Sequence, residues 1–256
     1  MTDLQYTHGP SGRYLFPFIL MALILAAGCS APPVAAPVEG ELLPGSGPLR
    51  TEGLLLLRAA RWTYERDDGS EIAPFIYERQ STDQYQAEWR TIEGDLRESF
   101  WRVDPETGNL LLTAVIDHKD NSIARFNPHL PILYPVMQPG EMHEVEVRMV
   151  VLTMDASPRV REQGTARRTI IYEGDQEITT PAGRFMSHRL RVEFRANLRL
   201  ANAVTSSVIY VVPRLGIVAE ETEELIRVLG AFDRKDRESL RLLIPPPELH
   251  GDGTDP

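Results

Sequence analysis

Across residues 189–200, apolar Leu190, Val192, Phe194, Ala196 and Leu198 alternate with Arg189, Arg191, Glu193, Arg195 and Asn197. Period-two alternation of this kind belongs to a strand with one dry face and one wet face. A helix would scatter the same residues around its axis, because its side chains return to one face only every three or four positions. Residues 143–153 begin the same way, with Val145, Val147 and Met149 opposing Glu144, Glu146 and Arg148, and then turn apolar on both faces at Val150, Val151 and Leu152. Turn chemistry separates further runs: DPETGN divides 96–103 from LLLTAVID, Pro181-Ala182-Gly183 joins 169–180 to the long alternating strand, and Pro213-Arg214-Leu215-Gly216 joins 206–212 to 217–229. Roughly eight to eleven strands at hairpin spacing predict a mainly β domain, an antiparallel curved sheet or a half-open β-barrel with few or no helices. Residues 225–232 and 233–238 are the two places where a helix could be accommodated.

The chain has 256 residues, 42% of them hydrophobic and 25% charged, enough to bury a core in one domain. With 27 Lys+Arg against 37 Asp+Glu the net charge is −10, which argues against a protein that grips nucleic-acid phosphates. Cys29 is the single cysteine, so neither an internal disulfide nor a cysteine-based zinc cluster can form. Residues 14–27 read YLFPFILMALILAA, an uncharged run shorter than the ~20 residues of a membrane-spanning helix and suited to the apolar stretch of a secretion signal.

That run leads into Ala26, Ala27, Gly28 and Cys29, which resembles the bacterial lipobox. The resemblance implies that residues 1–28 are a lipoprotein signal peptide and that Cys29 becomes the acylated first residue of the mature chain. An uncleaved anchor or a plain secretion signal are the competing readings. Two or three acyl chains, at ~0.8 kcal/mol per buried CH₂, hold a protein to a membrane where one chain would be marginal. Ser30 in place of Asp implies sorting to the outer membrane, periplasmic face. Residues 29–50 carry five prolines and read as a linker, 51–244 as the folded β-rich domain and 245–256 as a disordered acidic tail.

A second resemblance covers residues 125–230. TTPAGRFMSHRLRVEF at 179–194 and VIYVVPRLGIVAEE at 208–221 are similar to the turn motifs of a periplasmic family known as domain of unknown function 3108, and Pro131–Pro135 with Gln138-Pro139-Gly140-Glu141 fits its loop before the central strands. The family's half-open barrel implies a concave apolar groove for an acyl chain or a partner's strand. Pro181, Gly183, Phe185, Pro213 and Gly216 are then structural turn residues: the glycines supply backbone freedom, and Phe185 turns inward to cap the core.

Catalytic constellations are not legible. His118, His129, His143, His188 and His250 show no metal-ligand spacing, and no nucleophile elbow, phosphate loop or dinucleotide fingerprint occurs. Asp117-His118-Lys119-Asp120 has the composition of a turn. Glu220, Glu221, Glu223 and Glu224 read as a solvated strand edge, and Arg159, Arg161, Arg167 and Arg168 as a basic cluster on a hairpin tip. The expectation is therefore a non-enzymatic lipoprotein with no cofactor and no metal, attached by lipid, whose β domain binds a hydrophobic ligand or an envelope partner. A scaffold without a small ligand, or a hydrolase, are the alternatives.

Overall fold

Alternating apolar residues need a second dry surface to face, and here the sheet supplies it by curving onto itself. The computed structural model describes residues 40–51, 60–67, 69–70, 75–79, 85–94, 96–228 and 232–245. Its strands are β1 (Leu49–Arg50), β2 (Ala60–Arg66), β3 (Phe75–Arg79), β4 (Trp89–Glu93), β5 (Arg97–Val103), β6 (Leu110–Asp117) and β7 (Ser122–Leu133). There follow β8 (Val136–Met137), β9 (Met142–Thr153), β10 (Val160–Thr180), β11 (Gly183–Leu198), β12 (Ala201–Val212), β13 (Gly216–Val228) and β14 (Phe232–Ile244). The order β10-β11-β12-β13-β14-β2-β3-β4-β5-β6-β7-β9 returns to β10, and every pairing in it is antiparallel. Among the described residues, β2 meets β3 from Ala60↔Tyr77 to Trp62↔Phe75 and β14 from Leu240↔Arg66 to Ile244↔Thr63. The mainly β, antiparallel class is thus the observed one. Residues 225–228 lie in β13 and 233–238 in β14, so the helical option fails where it is described: cross-strand pairing decides those segments.

The longest pairing is the β10–β11 hairpin, in register from Gly164↔Leu198 to Thr180↔Gly183 with a bulge between Tyr172 and Gly174. Leu190, Val192, Phe194 and Ala196 of β11 join Val147, Met149 and Val151 of β9 in the main core, as the alternation requires. Each of these side chains larger than alanine contributes roughly 1.5–3 kcal/mol by leaving water. A second cluster, including Trp62, Tyr64, Tyr210 and Leu242, packs against Phe185 and Ala182 of the β10–β11 tip. Ala182 N donates to the Leu242 carbonyl at 3.0 Å and fixes that tip against β14.

The segment read as a linker up to Arg50 touches the domain from Gly40 onward. Leu49 is 0% exposed, and β1 pairs with β8 at Leu49↔Met137 and Arg50↔Val136. Leu43 N donates to Asp175 O at 2.8 Å, and Leu42 bridges to Gln176. One apolar side chain in the core and a few backbone bonds suffice to turn this stretch of the tether into a strap laid over β10 and β8.

Candidate functional site: a two-part lumen

Two adjoining cavities lie inside the ring among the described residues. One, of about 110 Å³, is walled by Leu110, Ile132, Ile170, Leu190, Val192, Ile209, Val211 and Ile217, with Trp89 and Trp101 on β4 and β5. Arg168 and Glu220 are its charged lining residues among those described. The other, of about 140 Å³, sets a polar wall against Tyr64, Leu112, Val115 and Leu240: Thr91, Glu93, Arg97 and Ser99 on β4 and β5, and Thr205, Ser207, Glu220, Thr222 and Glu238 on β12 to β14. Trp101, Ile217 and Glu220 line both, so the compartments meet there. The interior is thus shared between an apolar and a partly polar compartment.

Register explains the division. Thr222 lies beside Ser207, Ser207 beside Val192, and Val192 beside Ile170, so one row runs from hydroxyls on β13 and β12 to aliphatics on β11 and β10. The polar wall is largely satisfied internally. Ser207 and Thr222 share a hydrogen bond at 2.8 Å, Thr222 Oγ1 donates to Glu220 Oε1 at 2.9 Å, and Trp101 Nε1 donates to Thr91 Oγ1 at 2.9 Å. Arg97 pairs with Glu93 at 3.6 Å and Arg66 with Glu238 at 3.2 Å. Thr205, only 4% exposed, also lines the larger cavity.

Burial governs the acids. It raises the carboxyls of Glu93 and Glu220 above the usual range, Glu238 to about 7 and Glu224 to about 8. Burial also brings the Arg168 guanidinium down to about 10, still charged at neutral pH.

Most of these residues were misread or missed from the sequence. The acidic run is not an edge: β13 lies between β12 and β14, and its alternation points Glu220 and Thr222 into the lumen while Glu221 and Glu223 face the other way. The basic cluster is not on one tip either. Arg159 lies beyond β9, but Arg167 and Arg168 are mid-strand on β10, one outward to Glu144 and Glu146, the other buried. Adjacent charged residues in a strand always split between faces, which was the signal available for both.

The turn residues lie away from the lumen. Pro181 sits in the β10–β11 tip, where Gly183 opens β11 with φ 138°, Arg184 pairs outward with Glu177 at 3.0 Å and Phe185 is half-buried. Pro213 begins the β12–β13 turn, and Gly216 follows it with φ 86°. Asp117 to Asp120 do form a turn: Asp120 N donates to Asp117 Oδ1 at 2.8 Å, and His118 Nε2 meets Glu98 at 2.8 Å. His143 stacks on Tyr134 with ring centroids 3.8 Å apart, and His188 Nδ1 meets Asp175 at 2.6 Å. No group of three or more potential metal ligands exists among the described residues. Cys29 and the signal-like segment lie outside the described residues, as do 246–256.

No family model matches the chain, so the resemblance to domain of unknown function 3108 gains nothing from that comparison, and no curated protein matches. Among solved structures the chain aligns with a protein from Parabacteroides distasonis described provisionally as a lipoprotein. The alignment has 10% identity and a TM-score of 0.30, and covers 73% of this chain and 95% of that one. A likeness at that level carries no argument about this chain.

Proposed function

We propose that this chain is an outer-membrane lipoprotein, anchored through Cys29 on the periplasmic face, whose β domain is a non-catalytic module that takes an apolar ligand into its lumen. The cavity lined by Leu110, Ile132, Ile170, Leu190, Ile209 and Val211 carries the binding half of this reading, since well-packed interiors leave few voids larger than a water molecule. The Ala-Gly-Cys junction after the apolar run supports the anchored half. The neighbouring acids and hydroxyls engage one another, which suits a polar wall that orients a ligand.

Binding is tested by titrating the full chain with an environment-sensitive apolar fluorophore and repeating the titration with Ile209→Trp, which fills the cavity. Saturable binding lost in the variant, with its circular dichroism unchanged, is the expected result. Absence of binding to the unmodified chain would favour a scaffold instead. For the anchor, Cys29→Ser should abolish acyl labelling and membrane retention; a variant that still fractionates with the outer membrane rules the anchor out.

A further inference from the structure

Among the described residues, Arg168 is a lumen arginine with no carboxylate at contact distance. It stands mid-strand on β10, 6% exposed, and lines the apolar cavity beside Ile170 and Val192. One Nη donates to the Ile132 carbonyl at 3.2 Å, and Nε has no hydrogen-bond partner. Among the described residues no carboxylate forms an ion pair with it, whereas Arg97 and Arg66 each have a glutamate. Glu220 lines the same cavity and its field reaches Arg168, but its Oε1 accepts from Thr222.

Acid and base differ in how they can shed the cost of burial. A buried carboxyl takes up a proton, and burial shifts both Glu220 and Glu224 in that direction. A guanidinium cannot lose its charge near neutral pH, and a buried charge without a partner is costly. What relieves it is an anion from outside, and the planar fork of arginine matches a carboxylate. We propose that Arg168 anchors the carboxylate of a short aliphatic acid whose chain lies in the apolar cavity. This rests on the binding-module reading above and specifies its ligand class.

Size sets the chain length. A dry cavity of ~150 Å³ accommodates benzene, so about 110 Å³ holds an aliphatic chain of about four to six carbons. Full-length acyl chains exceed that space.

The full chain, reconstituted in phospholipid nanodiscs, is titrated calorimetrically with hexanoate, 1-hexanol, hexylamine and decanoate against empty nanodiscs. Hexanoate should bind at least about tenfold more tightly than hexanol, and hexylamine no more tightly than hexanol. Arg168→Gln should reduce hexanoate to the level of hexanol, and Arg168→Lys should restore part of the preference. If hexanol binds as well as hexanoate to the unmodified chain, the anchor is wrong though the cavity reading survives. If neither binds, the cavity reading falls and the anchor with it. Decanoate binding more tightly than hexanoate overturns the short-chain limit. The comparison of probes on the unmodified chain decides the matter even where Arg168→Gln does not fold.

Discussion

Gly164 and Gly216 show two reasons for a glycine, and only one of them could be read from the sequence. Gly216 follows the Pro213 turn with φ 86°, a conformation costly for any residue with a Cβ, although the space around it is open: the nearest atom to an added Cβ is Trp62 Cζ2 at 4.0 Å. Gly164 has no such backbone requirement. A Cβ there would lie 1.9 Å from the Asn197 carbonyl oxygen on β11. Alanine at 164 must therefore push apart the β10–β11 backbones, and should cost about 2–3 kcal/mol, against about 1 kcal/mol for Gly216→Ala through strain alone. Chemical denaturation of the two variants checks the order; an equal or smaller loss at Gly164 would mean the hairpin end yields freely. Proline followed by glycine announced the turn at 216, but nothing near Gly164 in sequence announces Asn197.

At the scale of elements, the strap formed by residues 40–50 was hidden by its own composition. Prolines and glycines there read as tether, and the decisive partners lie far along the chain. Ser46 Oγ accepts from Asp175 N at 2.8 Å and donates to the Leu43 carbonyl at 3.0 Å, while Tyr172 OH donates to Asp175 Oδ1 at 2.7 Å and lies 3.2 Å from the Gly47 carbonyl. The β10 bulge at Tyr172 and Gly174 presents these groups to the strap. Ser46→Ala removes both of its bonds and leaves Leu49 buried, so amide exchange at Leu43 should accelerate while exchange in β11 stays unchanged. Unchanged protection at Leu43 would show that Leu49 and β1 hold the strap without Ser46. The β5–β6 hairpin is the opposite case. Its DPETGN turn was legible because its hydrogen bonds are local, with Thr107 Oγ1 donating to Asp104 at 2.5 Å and Asp104 N to the Asn109 carbonyl at 2.8 Å.

For the whole molecule, the acids enclosed by the ring reverse the usual carboxylate contribution to stability. Glu224, 2% exposed, has a folded pKa near 8 against 4.5 for the free side chain. Between those values the native state holds a proton that the unfolded chain has lost. Its contribution is therefore full below about 4.5 and is lost as pH rises toward about 8, with Glu238 acting in the same direction up to about 7. The melting temperature should fall from about pH 5 to about pH 8.5, and Glu224→Gln should flatten that slope; a profile identical in the variant would show that Glu224 does not hold the proton. What the sequence determined alone was the class of structure, because alternation and turn chemistry act over two to six residues and survive any arrangement of neighbours. Tertiary structure decided which polar residues are internal. Whether the alternate face of β13 meets water or a lumen depends on β4 and β5 closing across from it, more than a hundred positions earlier in the chain. Arg168 and Glu220 become a candidate site through that closure, since the low-dielectric surroundings it creates make an unpaired charge costly.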